Sequence, residues 1–197
     1  MSVKNQLTPE LRQRFLDNLE KQGIPLSKVI TDVVTSAPKS YLSDRPGVHS
    51  LIPANKLAVH SLDELKALAG NADEHYTSGL MQVHLHEDLP AWQENKNGYA
   101  PEELSVEENK NIVKAFKTYI YGHSEKVKSY KDIIHQHYFP MTLSTFAAEN
   151  LTVTAGQTLI VDGSDASMVF ATVTVEAGGT IQFETNSSWN VQNMILE

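Results

Sequence analysis

The 197-residue chain is 41% hydrophobic, has no cysteine and carries a formal net charge of −8. That apolar content supports a real core and argues against wholesale disorder, while the missing thiols exclude disulfide frameworks, Cys-ligated zinc and thiol catalysis. From Asp132 onward there are seven acids and no base, so this last third holds almost all of the net charge and all 16 Lys and Arg lie at or before Lys131. Phosphate backbones need clustered bases, so nucleic acid is not an expected partner.

The opening stretch MSVKNQLTPELRQRF lacks the apolar core of an export signal. Nothing approaches the ~20 apolar residues of a membrane span. The expectation is a protein without a membrane span, cytoplasmic by default, with signal-independent export left open.

In chain order, Thr8-Pro9 starts a helix, with a hydroxyl to cap it and proline at its first position. Leu11, Phe15, Leu16 and Leu19 share one face, and Gly23 can close the helix. In IPLSKVITDVVTSA, Leu26, Val29, Ile30, Val33 and Val34 follow helical spacing, while the β-branched content makes strand the competing assignment. Residues 38–60, with Pro38, Pro46, Gly47 and Pro53, read as an extended, packed connection.

Ser61 and Glu64 form a capping-box pair before Leu62, Leu65 and Leu68, and Gly70 ends that helix. GLMQVHLHED then alternates, which predicts one short strand near residues 80–86. A second capping box, Ser105 and Glu108, opens a helix with Ile112, Val113, Phe116 and Ile120 in one stripe and Gly122 after it. A last helix from Ser124 carries Val127, Tyr130, Ile133 and Ile134 and stops before Pro140.

The C-terminal segment then repeats itself. NLTVTAGQTLIVDG at 150–163 aligns with TVTVEAGGTIQFET at 172–185, so Leu151 lies over Val173 at an offset of 22 residues. Apolar residues alternate within each copy, as strands require, and the Ala-Gly pair marks a turn. Advancing 22 residues more brings Val173 onto Ile195, where a third copy begins. TVTVEAGGTIQF and LTVTAGQTLIV resemble rungs of β-solenoid surface proteins such as bacterial adhesins and fibre proteins. The resemblance spans residues 151–197 and implies a fold element, not an activity.

The expected class is therefore α+β: a mainly helical domain over 1–140 with a short β module over 141–197. That module is solenoid-like, or alternatively an antiparallel jelly roll or meander with Asp162-Gly163 as a hairpin turn.

About three stacked copies are needed before such a unit is stable. Two and a fraction leave an open edge, and this segment has no Lys, no Arg and, after Pro140, no Pro to guard it. The expected function is thus a non-enzymatic structural or assembly protein that self-associates as a homo-oligomer or docks on another protein. Its candidate interface residues are Leu151, Val153, Val173, Val175, Ile181, Phe183 and Ile195.

Chemistry could come only from the eight histidines. His84 and His86 would share one strand face and could ligate a divalent transition metal, with His135, His137, Glu87 or Glu94 as further candidates. This gives the alternative of a small metal-dependent enzyme; otherwise no cofactor is expected. The pair resembles the ligands of cupin-type barrels but lacks the family's closely spaced Glu and flanking glycines. On a helix, His135 and His137 would point about 200° apart. Asp162-Gly163-Ser164-Asp165 could resemble a calcium loop, and Trp92, Tyr99, Trp189, Tyr119 and Tyr121 could stack sugars, the mark of a secreted glycan-binding or toxin-like factor.

Overall fold

A computed structural model describes residues 7–81, 85 and 88–197. The chain forms two compact units, one from residues 1–57 together with 142–197, the other from residues 58–141.

The first unit is built from a mostly parallel sheet and a second, parallel one. β1 (Ile30–Val34), β4 (Met141–Val153), β6 (Ala166–Val175) and β8 (Ser187–Leu196) lie in that order in one sheet, with β3 (Asn55–Val59) also pairing with β4. β2 (Lys39–Ser43), β5 (Thr158–Asp162) and β7 (Thr180–Phe183) form the other. Each turn of chain lays one strand in each sheet: β1 and β2, then β4 and β5, then β6 and β7, and β8 alone at the end. The result is a stack of three coils and a fraction.

The expected mainly helical N-terminal domain does not exist. The fold is α/β, with a mostly parallel five-stranded sheet and a second parallel sheet. The expected short β module, whether solenoid-like, jelly roll or meander, gives way to sheets that draw on both ends of the chain. The reason lies in residues 30–34. Ile30, Thr31, Val33 and Val34 are β-branched and stiff at χ1, which disfavours helix. Parallel pairing of Val33 with Leu151 and of Leu42 with Val161 then supplies partners that lie far away in sequence.

Register is set by the interior columns. Leu151 pairs with Val173 and Val161 with Phe183, both at the 22-residue offset. The last step differs: Val173 pairs with Met194, and Ile195 stands beside Thr174. Four residues separate Val161 from Ala166, but three separate Phe183 from Ser187, although these pairs occupy equivalent places. This one-residue contraction of the turn flips the side-chain faces of β8 relative to the sequence alignment, because the strand period is two. Met194 and Leu196, rather than Ile195, continue the interior columns.

Between the sheets lie Leu42, Phe146, Leu151, Val153, Leu159 and Phe170, all at most 1% exposed. On the outer face of the first sheet sits α1 (Pro9–Lys21). The Thr8 hydroxyl accepts the Leu11 amide at 3.3 Å, and Phe15 and Leu19, one turn apart, bury against Ala147, Val169 and Ala171.

Among its described residues the second unit carries four α-helices: α2 (Leu62–Ala69), α3 (Asp73–Thr77), α4 (Val106–Tyr121) and α5 (Lys131–Tyr138). α4 begins with a complete capping box, the Ser105 hydroxyl accepting the Glu108 amide at 3.2 Å and Glu108 accepting the Ser105 amide at 2.8 Å. At its other end Lys66 Nζ donates to the Tyr119 and Gly122 carbonyls at 2.7 and 3.1 Å, satisfying carbonyls the helix leaves unpaired. The helix expected from Ser124 starts as a 3₁₀ segment over Ser124–Tyr130 before α5. The strand expected near 80–86 falls mostly on residues outside the described ones.

Candidate assembly interface

The two ends of the stack in the first unit differ. At the β1–β2 end, residues 44–54 fold over the core. Ile52 is 3% exposed, and Leu51 and Ala54 pack against the same cluster. The free edge of β2 is also used: the Leu51 amide donates to the Tyr41 carbonyl at 2.8 Å, and Tyr41 bridges to Ser50 in parallel. The Ser50 hydroxyl accepts the Ser43 amide at 3.1 Å and donates to the Ile52 carbonyl at 2.6 Å, which pins the lid in place.

Asp44 fastens this lid to two further coils. Its carboxylate accepts from Ser144 Oγ at 2.8 Å and from the Ser164 amide at 2.9 Å, and it pairs with Lys56. Burial works against the charged form, but the hydrogen bonds from Lys56, Ser164 and Ser144 outweigh it and hold the Asp44 carboxyl well below the usual range. Gly163 is required beside it: φ is +96°, and a Cβ there would collide with Asp44 Oδ1.

At the other end no described strand pairs with the outer edge of β7 or β8. The interior columns run out into solvent. Leu151 and Val173 are 1% and 0% exposed, but Met194 below them is 51% exposed; Val161 is 0% and Phe183 below it 49%; Leu196, below Val153 and Val175, reaches 74%. Trp189 closes part of this end, with its ring 5.3 Å from that of Phe170 and edge-on to Phe183 at 5.5 Å. The open face therefore combines unpaired main-chain groups with an apolar surface. β8 holds no Lys, Arg or Pro. An edge of this kind is a template for another strand.

No protein-family model, curated protein or solved structure matches the chain. The function must be read from the geometry itself.

Of the residues singled out from the sequence, Leu151, Val153 and Val173 are buried in the interior, Val175 and Ile181 are partly buried against it, and Phe183 stands at the open end. Ile195 is partly exposed on β8. Sequence alignment passed over Met194, Leu196 and Trp189. A count of turn length between Phe183 and Ser187 would have found the first two.

His84, His86 and Glu87 lie outside the described residues. His135 and His137 do not converge: their Nε2 atoms meet the His60 and Tyr99 carbonyls at 3.1 and 2.9 Å. Among the described residues, no group of three or more His, Asp and Glu could hold a metal ion. The 162–165 turn is occupied by protein partners, with Arg45 on Asp162 and Asn186 Nδ2 donating to Asp165. It links two different sheets and so is not a hairpin. Trp92 is buried and donates to Asn97, and Tyr119 donates to Asp63 at 2.5 Å, so neither ring is presented as a stacking platform. Among the described residues, no helix is long and apolar enough to cross a membrane.

Proposed function

We propose that the protein is a structural, non-enzymatic assembly component that pairs with a second copy of itself through the open end of the coil stack. What supports this reading is the burial gradient down the interior columns, which ends on the exposed Phe183, Met194 and Leu196 beside two unpaired strand edges. A second copy offers the same two edges and the same apolar columns. A two-fold axis across the end face would lay β8 antiparallel to its own image, each face burying what the other exposes.

The opposite end is roofed by residues 44–54, so a head-to-tail contact has no matching surface. Self-association therefore stops at a closed dimer and does not propagate into a fibre. Sedimentation equilibrium of the full chain tests this. The expected result is a monomer–dimer equilibrium. A monomer throughout the micromolar range would overturn the reading in favour of a different partner at the same edge, and open-ended polymers would overturn the closed geometry.

A further inference from the structure

A second feature of the first unit is independent of the open end. On the outer face of the β2–β5 sheet, a cavity of about 530 Å³ is lined by Lys39, Tyr41, Arg45, His49 and Asp162, among others. The strand period explains the floor: Ser40 and Leu42 turn inward and are buried, which leaves Lys39 and Tyr41 on the outer side. The wall is the same loop that roofs the stack. The volume lies within the ~300–1,000 Å³ typical of small-ligand pockets.

The charges in this cavity are unevenly satisfied. Arg45 Nη1 sits 3.2 Å from Asp162 Oδ2, with the Arg45 side chain 55% exposed and that of Asp162 only 4%. Asp162 Oδ1 is buried and accepts no hydrogen bond from any described residue. An orphan acceptor of this kind is costly, and more so when charged. The side chains of Lys39 and His49 make no ion pair or hydrogen bond with any described residue. Counted alone, Lys39 and Arg45 against Asp162 leave one positive charge in excess, in a chain whose net charge is −8. The cavity thus has two requirements: an anion for the unbalanced base, and a hydrogen-bond donor for Asp162 Oδ1.

We infer that this cavity binds a small hydroxylated monoanion of the sugar-acid class. Its carboxylate lies between Lys39 and Arg45, and a hydroxyl donates to Asp162 Oδ1. That oxygen is covered, so the hydroxyl reaches it as Arg45, exposed and held by one contact, shifts toward the ligand's carboxylate. Tyr41 supplies an aromatic wall. A plain anion satisfies the bases but not Asp162, and a neutral sugar satisfies Asp162 but not the bases. Both requirements together define the class.

Isothermal titration of the full-length protein with D-galacturonate tests the inference, with acetate and D-galactose as parallel arms. Saturable single-site binding is expected for galacturonate, about tenfold or more tighter than for either control, and weakening as salt is raised. Lys39→Gln and Arg45→Gln should each weaken it by about tenfold or more, and Asp162→Asn should narrow the gap between galacturonate and acetate. Lys39 is exposed, so its variant carries the test even where Asp162→Asn unfolds the protein. Absence of saturable galacturonate binding at millimolar concentration, equal affinity for acetate, or unchanged affinity in folded Lys39→Gln would each overturn the inference.

Discussion

The two ends of one stack present opposite solutions to the same problem. Every coil must cover the apolar face of the one before it, and any finite stack leaves two faces uncovered. At the β1–β2 end the chain covers itself, with Ile52 seated in the core, Ser50 and Leu51 meeting the edge of β2, and Asp44 tying the lid to Ser144 and Ser164. At the β7–β8 end no segment among the described residues does this, and Phe183, Met194 and Leu196, in columns that are fully buried in earlier coils, are about half exposed or more. The contrast shows that apolar columns alone do not close a stack; a segment outside the repeat must be supplied, by the same chain or by another one.

The comparison can be broken most forcefully at the roofed end. Ile52→Ala should cost about 2–5 kcal/mol, as large-to-small changes in cores do, whereas Leu196→Ala at the open end should change monomer stability by no more than about 0.5 kcal/mol. Urea unfolding of both variants at dilute concentration measures the pair. Equal losses would mean that the ends are not different in kind.

Asp44→Ala should cost about 1–3 kcal/mol, because the buried Ser144 hydroxyl loses its acceptor and the lid its fastening. The pH dependence has a definite sign. The folded carboxyl titrates below its ordinary value near 3.8, so its stabilisation is complete above that value and is lost as pH falls toward the lower folded value. Thermal melts of the wild type between about pH 5 and 2 should show this acid loss, and Asp44→Asn should lack that component of it.

A smaller change is expected from lysines at the open end. Met194→Lys combined with Leu196→Lys should leave the monomer folded and weaken self-association by about tenfold or more, equivalent to roughly 1.4 kcal/mol. Sedimentation velocity reports the association, and circular dichroism the fold. The same substitutions leaving the dimer intact would move the interface elsewhere.

The smallest effect concerns salt. The last coil holds Glu176, Glu184 and Glu197 and no base, so two such faces repel. Raising ionic strength from about 0.01 to 0.15 M shortens the screening length from about 30 to 8 Å, and dimerisation should tighten a few-fold. Weakening with salt would instead indicate a basic partner surface.

Signals confined to a few residues were legible in the sequence. Thr8-Pro9 fixed the start of α1, Ser105 and Glu108 the start of α4, and Gly122 its end, because each cap is satisfied by groups within one helical turn. The pairing of Leu151 with Val173 also followed from alignment, since the two copies are adjacent in the chain. β1 and β2 were not legible. Their partners lie more than 100 residues away, and the spacing of Val29, Ile30, Val33 and Val34 suits a helix as readily as a strand. Ser61 shows the limit even for caps: its hydroxyl accepts the Glu64 amide as expected, but the Glu64 carboxylate turns to the amide of His60.

By itself, then, the sequence determined the capped ends of α1, α2 and α4, the alternation of the C-terminal strands and the lack of any Lys, Arg or Pro to guard the last edge. Tertiary structure alone decided that residues 30–43 become the first coil, that residues 44–54 roof one end, and that Met194 and Leu196 take the interior place assigned to Ile195. The division follows the range of the forces. Caps and alternation are local, whereas the choice between helix and strand for a β-branched stretch, and the face shown by a strand after a shortened turn, are settled by backbone partners that only the folded chain brings near.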